Sequence, residues 1–347
     1  MQNTAFVLNG VQVQPGQRCS IDLSVGRLYT HSEITMPVYV VNGKRSGKRL
    51  YLSAAIHGDE INGVEMIRRI LAMPSLKQLQ GTLIAVPVVN VHGFINTSRY
   101  LPDRRDLNRS FPGSAEGSLT ARLAHLFMSE IVSNATHGID IHTAAIHRNN
   151  LPQVRGDLDN PEVAELANAF GIPVLLSSNG PDGALRRVAT EAGVPTILYE
   201  AGEALRFDEI SIRAGVKGIV NVMRQLGMLP ARSSKRPKPI KPFIARSSTW
   251  VRAPESGIIR ALIPLGARVR KGQSLGIIAD PFGEKELVVS APNDGVVIGR
   301  ADLPLVNEGD ALFHIARFEK PADVAAVVEA LQGEQTLPGV LPDEPTL

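Results

Sequence analysis

The alternation of strand-like and helix-like segments between residues 50 and 228 most constrains how this chain can fold. Four short apolar runs predict buried strands, and four longer segments with apolar residues at three- and four-residue spacing predict helices. The predicted strands are RLYLSAAI, GTLIAVPVVN, HGIDIHTA and VPTILYEAG. The predicted helices are GVEMIRRILA, LTARLAHLFMSEIVSN, PEVAELANAF and ISIRAGVKGIVNVMRQLG. This order predicts an α/β fold with a mostly parallel, mixed sheet flanked by helices.

The chain is rich in predicted strands on both sides of this region. Residues 5–55 are β-like, and VYVVNGKRSGKRLYLSAAI predicts two strands around the turn-prone NGKRSGK. Toward the other end, residues 253–278 and 291–315 match once one residue is removed, and each half contains A-P-x-x-G, a turn and an apolar strand. Two similar β units can close on each other, so we expect a smaller all-β domain of the barrel-sandwich type.

A basic, proline-rich segment separates these two regions. PARSSKRPKPIKPFIARSS contains six Lys/Arg and four Pro. Proline prevents regular structure over much of such a segment, so we expect a solvated linker rather than a nucleic-acid-binding patch. The expected units are an N-terminal β extension (1–35), the α/β domain (36–229), the linker (230–248), the all-β domain (249–318) and a tail (319–347) with one helix-like piece, ADVAAVVEAL.

Composition excludes several classes of protein. No apolar stretch approaches the roughly 20 residues that a membrane helix needs, and the first residues lack the pattern of a signal peptide. The single cysteine, Cys19, excludes an internal disulfide framework and a thiolate metal site. We therefore expect a cytoplasmic protein without a membrane partner. The net charge of +3 is too small to favour nucleic acid as a partner.

Three potential metal ligands follow predicted strands of the α/β domain. His57 comes directly after YLSAAI, Glu60 lies three residues later in the next turn, and His142 lies near the end of HGIDIHTA. Ligands of open α/β sheets bind outside the carboxyl ends of the strands, so these side chains are expected to meet there. Two histidines, one glutamate and a water form a known catalytic zinc site.

Further polar residues decide between this interpretation and a structural one. A histidine that ends a strand is often a satisfied core residue, and H-x-x-E alone is common by chance. However, YEAGE places Glu200 at the end of another buried strand, and RRDLNRSFPG supplies Asn108 and Arg109 on a loop. The combination predicts a metal site.

These motifs together resemble the succinylglutamate desuccinylase/aspartoacylase family, a branch of the zinc carboxypeptidase superfamily. The matching motifs, in family order over about residues 35–228, are HGDE (57–60), DLNR (106–109), His142 and EAG (200–202). The all-β domain after the linker is similar to that of bacterial members with a C-terminal barrel. The resemblance implies a carboxypeptidase-like fold and a zinc-dependent amidohydrolase that removes the acyl group of an N-acyl amino acid.

The resemblance also implies the chemistry of the site. One Zn²⁺ per chain would be held by His57, Glu60 and His142. Zinc lowers the pKa of a bound water to about 7, so the water can attack the amide carbonyl at neutral pH. Glu200 would act as the general base and then as the general acid for the leaving amine.

Substrate contacts follow from the same resemblance. Arg109 would clamp the substrate carboxylate, with Asn108 as a donor beside it. Asp106 would accept a hydrogen bond from the second ring nitrogen of His57, although a turn or cap aspartate is an equal alternative. Arg186 is a further candidate contact, with a surface arginine as the alternative.

Two departures from the family pattern concern the oxyanion and the C-terminal domain. Arg99, followed by Tyr100, has the context of the family's oxyanion arginine, but the segment before DLNR is two residues longer than in aspartoacylases. Arg104 and Arg105 are therefore alternatives to Arg99. In some relatives the C-terminal domain supplies a tyrosine to the substrate, whereas all five tyrosines of this chain precede the linker.

Two other functions remain as alternatives. A zinc carboxypeptidase or esterase would use the same water attack on another substrate with a carboxylate. The repeated β units also resemble biotinyl and lipoyl carrier domains, but Lys285 in ADPFGEKELV lacks the Met or Asp that usually flanks the modified lysine. We therefore expect the all-β domain to cover the active-site edge or to join subunits of a homo-oligomer.

Overall fold

A computed structural model describes residues 1–231 and 242–336 of the chain. Its strands are β1 (Phe6–Leu8), β2 (Val11–Val13), β3 (Arg18–Arg27), β4 (Glu33–Asn42), β5 (Arg45–Ala54), β6 (Gln80–Val86), β7 (His137–Ala144), β8 (Arg148–Gly156), β9 (Val174–Ser177), β10 (Thr196–Glu203), β11 (Phe243–Ala245), β12 (Ser247–Arg252), β13 (Gly257–Ala261), β14 (Arg268–Val269), β15 (Ser274–Ala279), β16 (Glu286–Ser290), β17 (Gly295–Ala301), β18 (Leu305–Val306) and β19 (Ala311–Arg317). Its α-helices are α1 (Asn62–Ala72), α2 (Val91–Ile95), α3 (Leu119–Glu130), α4 (Pro161–Phe170), α5 (Leu185–Glu191), α6 (Glu209–Gln225) and α7 (Pro321–Thr336).

A large mixed sheet organises the chain. Its main path runs β12-β19-β17-β8-β10-β7-β5-β6-β4-β3. The central neighbours β10, β7, β5 and β6 are parallel, whereas β8 and β4 pair antiparallel with the strands at the two ends of this group. The predicted α/β class with a mixed sheet is confirmed, and the strand pairs within the α/β region are mostly parallel.

Alternate residues of the central strands pack on opposite faces of this sheet. In β5, Leu50 and Leu52 belong to one core cluster, which includes the buried sides of α1, α4 and α6. Tyr51, between them, belongs to a second cluster, which includes α3 and α5. Because side chains alternate along a strand, the two clusters lie on the two faces, and helices cover both.

The predicted strands and helices of the α/β region correspond to β5, β6, β7, β10, α1, α3, α4 and α6. Two predicted strands are shorter at their ends. GTLIAVPVVN leaves the sheet at Val86, and RLYLSAAI leaves it at Ala54, because Ala55 adopts a φ of +50° and turns the chain. The last predicted turn of α3 is a separate 3₁₀ turn, Val132–Asn134. Two strands and two α-helices of this region were not predicted, namely β8, β9, α2 and α5.

The C-terminal strands form an antiparallel region, as predicted. β13, β15, β16 and β18 form a four-stranded sheet, and it shares an apolar core with residues of β12, β17 and β19. β12, β19 and β17 also belong to the large sheet, which they join because β17 pairs with β8. Lys285, the candidate carrier lysine, lies between β15 and β16, and its Nζ is 2.8 Å from a carboxylate oxygen of Glu255.

Parts of the predicted linker and tail lie outside the described residues. These are residues 232–241 of the linker and residues 337–347 of the tail. Within the predicted linker, β11 pairs in parallel with β9, and β12 begins at Ser247. The helix-like piece of the tail lies in α7. No helix in residues 1–231 or 242–336 has the length and apolar character needed to cross a membrane.

Candidate active site

His57, Glu60 and His142 meet at one point. Nδ1 of His57 lies 2.7 Å from Oε1 of Glu60, and Nδ1 of His142 lies 2.7 Å from Oε2 of the same carboxylate. All three residues are buried, and their potential ligand atoms lie within 4.8 Å of one another. The structure thus brings together the three ligands proposed from the sequence, with one nitrogen of each imidazole facing a shared carboxylate.

The carboxyl ends of three adjacent parallel strands bring these side chains together. β5 ends just before the turn that contains His57, and the N–H of Glu60 donates to the carbonyl of His57 within that turn. His142 is in β7, between β5 and β10, and is the register partner of Glu200. Gly58 is needed for the close packing of the turn, since a Cβ there would lie 2.0 Å from the carbonyl carbon of Gly93.

The second ring nitrogen of each histidine is held by an aspartate. Nε2 of His57 lies 3.1 Å from Oδ1 of Asp106, so the hydrogen bond predicted between these residues is present. Asp106 also accepts from the backbone N–H of Asn108, which is the cap that we considered as the alternative. Nε2 of His142 lies 2.7 Å from Oδ2 of Asp140. Such carboxylate–histidine pairs fix the ring orientation of metal ligands.

Asp140 was not predicted, although a signal for it exists in the sequence. It precedes His142 by two residues in β7, and alternate residues of a strand point to the same face. Ser53 in the neighbouring β5 donates its hydroxyl to Oδ1 of Asp140 over 2.7 Å. The aspartate is therefore held in place from one side while it binds the imidazole on the other.

The charges of the buried cluster are coupled. Burial raises the pKa of Glu60, but the adjacent His57 and His142 outweigh it and hold this pKa far below the usual range. Burial lowers the pKa of His142, but Asp140 and Glu60 outweigh it and raise this pKa to about 10. Glu60 therefore remains an anion, and a metal ion would have to displace a proton from His142.

The cluster lies in a cavity of about 390 Å³. Five other residues proposed from the sequence also line it: Arg99, Asn108, Arg109, Arg186 and Glu200. A cavity of about 460 Å³ near β11 and Arg317 has no histidine among its described lining residues, so size alone does not identify the site.

Arg99 is the one of three candidate oxyanion arginines that lines this cavity. Its Nη2 lies 2.9 Å from Oδ2 of Asp106, and its Nη1 lies 3.3 Å from Oε1 of Glu60. Arg104 and Arg105 are exposed and do not line the cavity. Arg104 and Arg105 of the longer segment before DLNR thus lie in solvent, and Arg99 lies beside the potential metal ligands.

Two further arginines contribute to the cavity wall. Nη1 of Arg109 donates to the carbonyl of Asn108, and the side-chain oxygen of Asn108 accepts from the backbone of Leu185. Arg186 is only 7% exposed, which contradicts the surface position that we considered as the alternative. Burial lowers its pKa to about 10, and its Nε has no hydrogen-bond partner among the described residues.

Glu200 is held by β8, the strand that the sequence pattern did not predict. Its Oε1 accepts from Nδ2 of Asn150 over 2.6 Å, and its Oε2 lies 2.9 Å from Nε of Arg155. Both partners line the cavity. Their polar side chains interrupt the apolar pattern by which a strand is recognised, so the only signal was their position after HGIDIHTA.

The C-terminal region also contributes a cavity residue. Trp250 in β12 lines the cavity together with Arg148, and the Cζ atom of Arg148 lies 5.4 Å from the centroid of its ring. The family pattern indicated only a tyrosine from this region, and Trp250 was not predicted. The available signal was that Trp250 is the single tryptophan of the chain.

Comparisons with known proteins agree with this geometry. A family model for the succinylglutamate desuccinylase/aspartoacylase catalytic domain matches residues 46–226. The chain is 28% identical over 309 residues to an N-alpha-acetyl-L-2,4-diaminobutyric acid deacetylase from Halomonas elongata, and the match covers 86% of this chain and 87% of the relative.

Solved structures have the same fold. A succinylglutamate desuccinylase/aspartoacylase from Rhodobacter sphaeroides matches with a TM-score of 0.77 and 25% identity, over 87% of this chain and 95% of that chain. The product-bound ectoine utilization protein EutE (DoeB) from Ruegeria pomeroyi matches with a TM-score of 0.79 and 23% identity, over 91% of this chain and 99% of that chain. The likeness extends beyond the α/β region, because the matches cover most of both chains.

Proposed function

The chain belongs to the succinylglutamate desuccinylase/aspartoacylase family, and on that premise we propose how its residues carry out the reaction. It is a hydrolase of carbon–nitrogen bonds other than peptide bonds, and a deacylase of N-acyl amino acids. The finer proposal is a zinc-dependent reaction with Glu200 as general base. The observation that supports it most is that three buried metal-ligand side chains and Glu200 line one cavity.

The donor set fits zinc. Nδ1 of His57 and Nδ1 of His142 both face the carboxylate of Glu60, and two imidazoles with one carboxylate match a catalytic zinc site. Asp106 and Asp140 hold the opposite ring nitrogens, so the Nδ1 atoms and Glu60 would be the ligands. Bound zinc would supply a Lewis acid that lowers the pKa of water and polarises the amide carbonyl.

Glu200 is proposed to move the proton. It would accept a proton from the attacking water and donate it to the leaving nitrogen once the carbon–nitrogen bond breaks. Asn150 and Arg155 hold its two carboxylate oxygens, so the side chain has a defined orientation in the cavity. His142 and Glu200 are register partners on adjacent parallel strands, and this closeness to the proposed metal ligands supports Glu200 as the base.

Arg99 is proposed to stabilise the oxyanion. Its guanidinium group is held by Glu60 and Asp106, so its position is fixed before the substrate binds. A preorganised cation beside the reacting carbonyl stabilises the charge that develops in the transition state. Asp106 would thus hold both His57 and Arg99.

Arg109, Asn108 and Arg186 are proposed to bind the α-carboxylate of the substrate. A guanidinium fork can donate two parallel hydrogen bonds to a carboxylate. No carboxylate among the described residues pairs with Arg109 or Arg186. Both guanidinium groups can therefore donate hydrogen bonds to a carboxylate of the ligand. Gly180 lies against Arg186, since a Cβ there would be 2.9 Å from its Cζ, and this packing fixes the guanidinium.

Amine release from a substrate panel tests this proposal. The zinc-loaded protein is incubated with N-acetyl, N-succinyl and N-formyl amino acids. We expect Glu200→Gln to reduce kcat roughly 10²- to 10⁴-fold, the range typical of a lost general base. Glu116→Gln changes an exposed glutamate outside the cavity and serves as the matched control. Absence of turnover by the wild type, or equal turnover of the wild type and Glu200→Gln, would refute the proposal.

A further inference from the structure

The four-stranded sheet β16-β15-β13-β18 has one face in the core of the C-terminal region. Ile259, Ile278, Val289 and Val306 belong to the apolar cluster that this sheet shares with β12, β17 and β19. Side chains alternate along a strand, so the residues between these point to the opposite face. We call this opposite face the outer face, and its positions are Ile258, Arg260, Ile277, Ala279, Glu286, Val288 and Leu305.

The outer face is mostly apolar although it is accessible. Leu305 is 62% exposed, Val288 is 56% exposed and Ile258 is 43% exposed. Strand register makes these residues neighbours, because Leu305 pairs with Ile258, and the half-buried Ile277 pairs with Val288. An antiparallel sheet with one solvated face normally places polar residues on that face. The outer face instead has the composition of a surface that another molecule covers.

Three more exposed apolar residues extend this surface at its edges. They are Leu262 after β13, Phe282 in the turn between β15 and β16, and Leu303 before β18. The exposed apolar side chains thus come from the whole width of the four-stranded sheet. A contiguous apolar patch with polar residues around it marks an interaction site on a protein surface.

Two charged residues lie at opposite corners of the outer face. Arg260 in β13 pairs with Ile277 of β15, and Glu286 in β16 pairs with Ala279 of the same strand β15. Arg260 and Glu286 are therefore separated by two strand spacings, about 10 Å, and by two residues along the strands, about 7 Å. Both are exposed, and neither forms an ion pair with another described residue.

This arrangement of charges is complementary to itself. Two copies can meet face to face about a two-fold axis that lies in the plane of the sheets, between Arg260 and Glu286. Each Arg260 then faces Glu286 of the other copy, and the contact forms twice because a two-fold interface is isologous. The apolar positions between the two corners cover each other. The charges therefore favour a second copy of this chain over a partner whose surface carries charge of one sign.

We propose that the outer face is the interface of a homodimer, in which the four-stranded sheets of two chains pack against each other. No residue of the outer face lines the active-site cavity among the described residues, so the dimer leaves the cavity accessible. The inference does not depend on the proposed function, because its tests measure association and not turnover.

Sedimentation velocity of the full chain tests for the dimer directly. The protein is measured at concentrations up to about 100 µM, since interfaces of standard size have dissociation constants in the micromolar range or below. We expect a species with the mass of two chains. A monomer at every concentration would overturn the inference, and the outer face would then belong to a different partner.

Charge reversal assigns the dimer to the outer face. Arg260→Glu and Glu286→Arg each bring like charges together twice, so each should raise the dissociation constant at least roughly 100-fold. Arg206→Glu and Glu116→Arg reverse exposed charges of the α/β region and should leave the dimer unchanged. A dimer that both outer-face reversals leave intact would lie on another surface and would refute the inference.

Mixing the two reversed variants excludes general damage as the cause. In a mixed dimer the acid introduced at position 260 faces the base introduced at position 286, while the unchanged Glu286 and Arg260 face each other. Each variant alone should be monomeric, and the equimolar mixture should form a 1:1 dimer with an affinity within about tenfold of the wild type. Failure of the mixture to associate would overturn the proposed face-to-face arrangement.

A charge in the apolar part of the face tests the remaining contact. Val288→Lys should raise the dissociation constant at least roughly tenfold, because the interface would bury an unpaired charge. Val7→Lys, at a valine of β1 that is 48% exposed, is the matched control. Circular dichroism should show the same folded chain for both variants. A wild-type dissociation constant for Val288→Lys would refute the role of the apolar surface.

Discussion

The side-chain amide of Asn150 donates to Oε1 of Glu200 over 2.6 Å. Asn150 is in β8, between β10, which contains Glu200, and β17 of the C-terminal region. Its register partners on the two sides are Gly202 and Gly299, neither of which has a side chain that would crowd the amide. The orientation of the proposed base therefore depends on a strand that also anchors the C-terminal region.

Replacing Asn150 should impair the chemical step rather than substrate binding. Asn150→Ala removes a hydrogen bond to a charged carboxylate, and such bonds are worth roughly 1.5–3 kcal/mol. We expect kcat to fall roughly tenfold or more with little change in KM, measured as amine release. Asn149→Ala, on the neighbouring residue outside the cavity, is the control. A rise in KM alone would show that Asn150 does not act through Glu200.

Zinc binding to the metal-free protein should release protons and strengthen as the pH rises. Burial lowers the pKa of His142, but Asp140 and Glu60 raise it overall to about 10, so its imidazole is protonated at neutral pH. A ligand nitrogen must lose its proton, so each displaced proton makes zinc affinity increase about tenfold per pH unit up to that pKa.

Calorimetry at pH 8 in buffers of different ionisation enthalpy measures these protons. We expect at least one proton per zinc ion. Asp140→Asn removes the carboxylate that raises the pKa of His142 most, and it should reduce the number of protons released. Zinc affinity that is flat between pH 7 and 9 would contradict the proposed exchange.

Asp140 should also determine metal affinity through the orientation of His142. Its Oδ2 lies 2.7 Å from Nε2 of His142, and Ser53 holds its other oxygen. Loss of such a partner typically lowers metal affinity roughly 10- to 100-fold. Competition with a chelator measures the effect of Asp140→Asn, and Asp22→Asn, which alters an exposed aspartate, is the control. Equal zinc affinity of the two variants would contradict this role.

Residues of the candidate site could be predicted from the sequence wherever an apolar strand leads directly to a polar side chain. β7, β10 and the last five residues of β5 are largely buried on both faces, so their apolar runs are nearly continuous and the polar residues at or just after their ends are easily placed at one edge. His57, His142 and Glu200 could be assigned to the site for this reason.

β8 was not predicted because the residues that face the cavity give this strand a polar composition. RNNLPQVRG contains one proline and several polar residues, since Arg148, Asn150 and Arg155 face the cavity. The repeat in the C-terminal region predicted strands, but local periodicity does not specify that β17 pairs with β8. That pairing brings Trp250 to the cavity, so its position there could be recognised only from tertiary structure.

Gly58 should be essential for the turn that presents His57 and Glu60. A Cβ at this position would lie 2.0 Å from the carbonyl carbon and 2.2 Å from the next backbone nitrogen of the Gly93–Phe94 segment. Since backbone atoms cannot move aside as a flexible side chain can, Gly58→Ala must displace the turn, and overpacking of this kind costs roughly 1–3 kcal/mol. We expect a lower free energy of unfolding and a zinc affinity reduced at least tenfold, measured by denaturant titration and chelator competition. Gly333→Ala lies in α7, where a Cβ would meet nothing within 4 Å among the described residues, and it should lower neither quantity. Wild-type zinc affinity in Gly58→Ala would show that the contact with Gly93 does not set the position of the two ligands.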